Sequence, residues 1–178
     1  MAGGLDPAMH AGTIFLPSEV VAERGRGFPT TTYWREALSA TIAARRPMDC
    51  GKLLTSARVI GAIVEKATAF RETGALAVDM ESIAIAEIAA AHGLPFIAVR
   101  VIVDTAADAL PRPIVAASRA GRLQLWRLIA DLALAPTELA ALIRLAGRYR
   151  AASRSLRAIA RAGSLRTLAF PGAPAVIP

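Results

Sequence analysis

Residues 95–103, Pro-Phe-Ile-Ala-Val-Arg-Val-Ile-Val, are continuously apolar apart from Arg100, and no other stretch restricts the fold as much. A strand buried on both faces reads this way. A second compact apolar run, Ala75-Leu-Ala-Val-Asp79, precedes it. Between the two, Glu81 to His92 has helical composition, with Gly93 as a C-terminal stop and Pro95 just beyond. Strand, helix and strand within about 30 residues form the signature of a parallel βαβ unit. The expected fold is α/β, with a mixed, largely parallel central sheet flanked by helices.

The remaining segments fit around that unit. Ala2-Gly-Gly-Leu-Asp-Pro7 reads as a glycine loop, and Thr13–Val21 as a strand whose middle is demoted by Pro17. Residues 24–30 read as a loop, Tyr33–Arg45 as an amphipathic helix closed by Pro47, 51–55 as a short strand and 58–69 as a helix. The last third is helical and rich in arginine: 122–134, 137–150 and 153–162. Within it Leu139, Leu142, Ile143 and Ala146 make an i, i+3, i+4, i+7 apolar stripe. Residues 169–178 hold three prolines and read as a frayed tail. A division follows into a domain at 1–150 and a basic helix with Pro-rich tail at 151–178.

At 178 residues the chain suits one domain with a real core, and 54% hydrophobic against 20% charged residues excludes a disordered, highly charged polymer. One cysteine, Cys50, precludes an internal disulfide, and two histidines without a Cys pair argue against zinc; no metal is expected. The N-terminus lacks a basic region followed by an apolar one, and no uncharged apolar run is long enough to span a bilayer. A cytoplasmic location is expected. The net charge of +7 is uneven, because residues 112–178 carry 11 arginines and only two acids, Asp131 and Glu138. Three readings of this tail stay open. It is a helix pair with a solvated basic face, a membrane-surface helix attracted to anionic headgroups, or a nucleic-acid contact. The last lacks interleaved aromatics or a recognised motif.

Open α/β sheets bind ligands outside the carboxyl ends of their strands. The run ending at Asp79 delivers Met80 and Glu81, and the run ending at Val103 delivers Asp104, so two carboxylates would face one crevice with Arg100 nearby. Each residue also has a plainer reading. Glu81 is a first-turn acid favoured by the helix dipole, Asp104 a turn residue closing a strand, and Arg100 a partner for Asp79 or Glu81. Met80 alone reads as core, and Asp79 as structural.

Gly74-Ala-Leu-Ala-Val-Asp-Met-Glu-Ser82, followed by Gly93-Leu-Pro-Phe-Ile-Ala-Val-Arg-Val-Ile-Val-Asp104, resembles the nucleoside phosphorylase family, which includes the methylthioadenosine/adenosylhomocysteine nucleosidases. Ala2-Gly-Gly-Leu and Gly12-Thr-Ile look like that family's glycine loop and its following strand. With Thr105-Ala-Ala-Asp-Ala-Leu-Pro111 and the Arg-rich tail, the match over residues 2–150 is most similar to the hopanoid-associated phosphorylase branch. The resemblance implies an enzyme that cleaves the N-glycosidic bond of an adenosine-type nucleoside. Adenosylhopane would be the substrate and adenine the product. It implies no cofactor, phosphate as co-substrate and nucleophile, and a homo-oligomer; hydrolysis is the alternative.

Carried over residue by residue, Glu81 would accept hydrogen bonds from the ribose hydroxyls and favour an oxocarbenium-like transition state. Met80 would pack on the sugar face, Asp104 would act as general acid toward purine N7, and Arg100 would hold the nucleophile near Glu81. The amides of Ala2, Gly3 and Gly4 would approach the anion. Family members carry several tens of residues before the glycine loop, so the resemblance implies a chain truncated at its N-terminus and lacking the first strands of the sheet. The alternative reading is an inactive fragment that binds a nucleoside or a membrane surface. Val103 stands where many members have a small hydroxyl residue, and Val59 cannot stack on a base as a phenylalanine does.

Overall fold

The structure, a computed structural model, describes residues 1–23, 26–42, 48–111, 115 and 136–162. The elements in order are β1 (Ala2–Gly4), β2 (Ile14–Phe15), β3 (Glu19–Ala22), β4 (Gly27–Pro29), α1 (Thr32–Ile42), β5 (Met48–Asp49), β6 (Lys52–Thr55), α2 (Ile63–Thr73), β7 (Ala75–Asp79), α3 (Ser82–Ala91), β8 (Arg100–Asp104) and α4 (Pro136–Ala162). The strands form one sheet in the order β4-β3-β6-β7-β1-β8-β2-β5. The pairs β1–β8, β2–β5, β3–β6 and β6–β7 are parallel; β1–β7, β2–β8 and β3–β4 are antiparallel. Among the described residues the sheet is mixed and mostly parallel, flanked by four helices. The helix expected at 122–134 and the tail at 169–178 lie outside the described residues. Among those described, no helix is long and apolar enough to cross a membrane.

Several boundaries follow from identifiable residues. Pro17 divides the expected strand 13–21 into β2 and β3, which sit far apart in the sheet order. Proline cannot donate to a ladder, so the chain leaves one strand pair and enters another there. The helix expected at 58–69 begins five residues later. Glu65 accepts the N–H groups of Gly61 and Ala62 at 3.3 and 3.2 Å and caps α2, which Gly74 ends in the left-handed conformation at φ 64°. Strand β8 is shorter than the apolar run that announces it. Phe96 instead exchanges hydrogen bonds with Thr31 at the start of α1, donating to Oγ1 and accepting from the amide. Its backbone is therefore satisfied outside the sheet.

Three expectations are corrected. The glycine segment at the N-terminus is strand β1, not a loop, and residues 27–29 of the expected loop 24–30 form β4. The second correction follows from the first. Strand β1 lies between β7 and β8, antiparallel to one and parallel to the other, so β7 and β8 run in opposite directions instead of forming a parallel βαβ unit. Third, the helices expected at 137–150 and 153–162 are one, α4.

That helix rests on the sheet through Leu145, Ala152, Leu156 and Ile159, which join Ile14, Leu16, Leu38, Val101 and Val103 in one cluster. The stripe read from the sequence is not the docking face, since Ile143 is 63% exposed and Ala146 is also exposed. A second cluster, built on Phe15, Val20, Leu53, Ala77 and Ile102, fills the sheet interior.

Candidate functional site

Strand β7 ends at Asp79, whose carboxylate organises the turn into α3. One oxygen accepts the Thr55 hydroxyl at 2.9 Å and, at 3.3 Å each, the Glu81 and Ser82 amides. The other accepts the Ser82 hydroxyl at 2.6 Å and Arg100 Nε at 2.7 Å. Burial pushes this carboxyl up, but the bonds from Ser82, Arg100 and Thr55 outweigh it and hold Asp79 below the ordinary carboxylate range. The clamp fixes the backbone of Met80 and Glu81, whose side chains project outward and are exposed. The structural reading of Asp79 and the pairing of Arg100 with Asp79 both describe this arrangement.

Strand β8 ends at Asp104, which is buried. Strand β1 is level with both strand ends: Gly3 lies opposite Val78 on one side and Asp104 on the other. Closeness is possible only because residue 3 has no side chain. A Cβ there would stand 3.0 Å from Asp104 Oδ2 and 3.3 Å from Oδ1. Two strands that run in opposite directions thus bring their C-terminal residues to the same short central strand.

A cavity of about 470 Å³ opens over this junction. Met80 and Glu81 line it from the end of β7, Val103 and Asp104 from β8, and Ala2 and Gly3 from β1. Val59, Ile60 and Leu110 add an apolar wall, and Leu145 and Tyr149 of α4 close one side. Of the residues singled out from the sequence, Glu81, Asp104, Met80, Ala2 and Gly3 meet at this cavity.

Arg100 and Gly4 are not among the lining residues. Arg100 spends Nε on Asp79, one terminal nitrogen on Ser82 Oγ at 2.6 Å and the other on the Val99 carbonyl at 3.3 Å. These bonds position the β7–α3 turn. The amides of Ala2, Gly3 and Gly4, expected as an anion cradle, belong to β1. As a strand paired on both edges, β1 has its backbone engaged with β7 and β8.

The sequence reading missed Lys66, Asp108 and Arg148. Lys66 in α2 is completely buried and donates to Asp104 Oδ2 at 2.5 Å, the Thr105 carbonyl at 2.7 Å and the Asp108 carbonyl at 2.8 Å. Burial pushes the Asp104 carboxyl above its ordinary value, against the pull of the Lys66 ammonium. Asp108 accepts the amide and hydroxyl of Thr105 at 2.9 and 2.7 Å and Arg148 of α4 at 2.6 Å. Although burial opposes it, these bonds hold Asp108 down to about 2. A lysine amid the apolar residues of a helix was the available signal, since the chain has only one other, Lys52. Among the described residues, no group of three or more His, Cys, Asp or Glu side chains is placed to hold a metal ion.

A sequence profile described as the phosphorylase superfamily matches residues 1–130. No curated protein sequence matches significantly. Among solved structures, the chain is similar to the 5'-methylthioadenosine/S-adenosylhomocysteine nucleosidase of Neisseria meningitidis in complex with methylthio-immucillin-A. That match has a TM-score of 0.54, 19% identity, and covers 59% of this chain and 54% of that one. It is also similar to a putative methylthioadenosine nucleosidase from Weissella paramesenteroides, with a TM-score of 0.57, 22% identity, and 60% and 56% coverage. A futalosine hydrolase mutant of Helicobacter pylori matches with a TM-score of 0.55, 16% identity, and 60% and 54% coverage. The chain thus spans a little over half the length of each of these structures. At such identities the likeness is one of fold.

Proposed function

Because the chain belongs to the phosphorylase superfamily, we propose that its cavity binds a purine nucleoside and supports cleavage of the N-glycosidic bond. One observation carries this reading: Glu81, just past the end of β7, and Asp104, at the end of β8, line the same cavity on either side of β1.

Breaking the bond between the sugar C1' and the base nitrogen leaves positive charge on the ribose and negative charge on the purine. Glu81 faces the sugar, accepts its hydroxyl protons and stabilises the developing oxocarbenium charge. Met80 lies against the sugar face. Asp104 delivers a proton or a strong hydrogen bond to purine N7 as the electron pair moves onto the base, a task suited to a carboxyl raised by burial. The nucleophile attacks C1' from the opposite face.

Phosphate is the first choice of nucleophile, giving a sugar phosphate and a free base. Water is the second, favoured by the nucleosidases and hydrolase among the similar structures. For the substrate we carry forward an adenosine with a bulky apolar 5' substituent, adenosylhopane in the finest form, with release of adenine. The aliphatic wall of Val59, Ile60, Leu110 and Leu145 supports that choice. The same reading makes this a cytoplasmic homo-oligomer. Exposed Arg144, Arg150, Arg154 and Arg157 on α4 support contact with an anionic membrane surface.

Adenine release from adenosine and 5'-substituted adenosines, with and without phosphate, tests the proposal. Asp104→Asn is expected to slow release by about 10²–10⁴-fold, the usual contribution of a general acid, without unfolding the chain. Equal turnover in that variant would remove Asp104 from the mechanism. A rate independent of phosphate would leave hydrolysis as the reaction.

A further inference from the structure

Lys66 is the buried charged group that the proposed chemistry leaves unexplained. It has no exposed surface, and an ammonium has three protons to donate. All three are committed: to Asp104 Oδ2, to the Thr105 carbonyl and to the Asp108 carbonyl. No proton is left for a ligand, so any effect of Lys66 on chemistry passes through the groups it holds. Among the described residues, Asp104 Oδ1 accepts no side-chain hydrogen bond, while Oδ2 is tied.

We propose that Lys66 is the positioning residue for Asp104: it fixes one carboxylate oxygen, leaves the other for the purine, and sets the pH range in which that carboxyl carries its proton. The inference rests on the reading of Asp104 as the acid. The charged groups facing Asp104 are Lys66 from α2 and Asp108 from the following loop, with Arg148 of α4 neutralising Asp108. Glu81, Asp79 and Arg58 line the same cavity.

The same ammonium spans to α4. It holds the Asp108 carbonyl, and the Asp108 carboxylate holds Arg148, next to the Tyr149 that lines the cavity. The acid and the helix covering the cavity are thus fastened to one buried cation.

Burial and Lys66 act on Asp104 in opposite directions. Removing the ammonium leaves burial unopposed, so Asp104 holds its proton to higher pH. In Lys66→Met we expect the Asp104 carboxyl resonance to titrate about 1–3 pH units higher, the usual effect of a close opposite charge. The alkaline limb of adenine release should rise equally, and kcat should fall about tenfold or more with KM changed less than threefold, since Asp104 acts in the transition state. An unmoved Asp104 titration in the folded variant overturns the proposal.

If Lys66→Met does not fold, the wild-type chain supplies the second measurement. With only two lysines, Lys52 and Lys66, the side-chain nitrogen resonance of Lys66 is readily assigned, and Lys52→Arg identifies it. That resonance must shift with the midpoint of Asp104, and independence of the two overturns the proposal. Neither NMR readout needs turnover. A coupled pair in a chain that releases no adenine would refute the nucleoside reading alone. Adenine release with an uncoupled pair would refute the role of Lys66 alone.

Discussion

Replacing Arg100 by methionine separates a structural guanidinium from a catalytic one. Methionine keeps an unbranched apolar stem in place of the arginine stem and removes the charge and its donors. The Asp79 carboxylate left behind is 2% exposed and the Arg100 side chain 16% exposed, so solvent cannot replace the lost partner fully. Breaking a buried pair by removing one member costs about 3–5 kcal/mol. Asp79 keeps the hydroxyls of Thr55 and Ser82 and two amides, which places the expected loss toward the low end, at about 3 kcal/mol. That is a large share of the roughly 5–15 kcal/mol that stabilises a domain.

The assay is urea unfolding at pH 7, followed by far-UV circular dichroism. The paired variant Asp79→Asn/Arg100→Met removes both charges and should recover about half of the loss, because no buried charge is left unpaired. A loss under about 1 kcal/mol in Arg100→Met would refute the reasoning. So would a drop in adenine release at unchanged stability, which would return Arg100 to the ligand.

Two further outcomes are expected. Asp79 and Asp108 are both depressed in the folded chain, Asp108 to about 2. Their contribution to stability is therefore complete above the ordinary value of 3.8 and is lost as pH falls through the folded values. Urea midpoints should decline between about pH 4 and 2, and Arg148→Met should make that decline smaller and end it at higher pH, because the folded Asp108 then lies nearer its unfolded value; a flat wild-type profile over that range would contradict the assignment. In Gly3→Ala the new methyl meets Asp104 Oδ2, the oxygen that Lys66 holds, at 3.0 Å. The expected cost is about 1–3 kcal/mol by thermal unfolding, with adenine release reduced beyond what the lost stability accounts for. Wild-type stability and turnover would show that the strand makes room.

The sequence by itself determined the pieces whose causes are local. Buried strands β7 and β8 follow from short apolar runs, the end of α3 coincides with a glycine at φ 63°, and the break at Pro17 follows from its missing donor. Met80, Glu81 and Asp104 were legible as residues at or just past strand ends, because strand termination is written in neighbouring side chains. Tertiary structure alone decided that β1 enters between β7 and β8, and it replaced a glycine loop by a strand and a parallel unit by an antiparallel pair. It also decided that Arg100 turns to Asp79 across 21 residues, and that Lys66 reaches Asp104 across 38. The face of α4 that docks was set by what the sheet offers, against the stripe through Ile143. Partners this remote in the chain are chosen by the free energy of filling one interior and pairing its buried charges, and no short window of residues contains that sum.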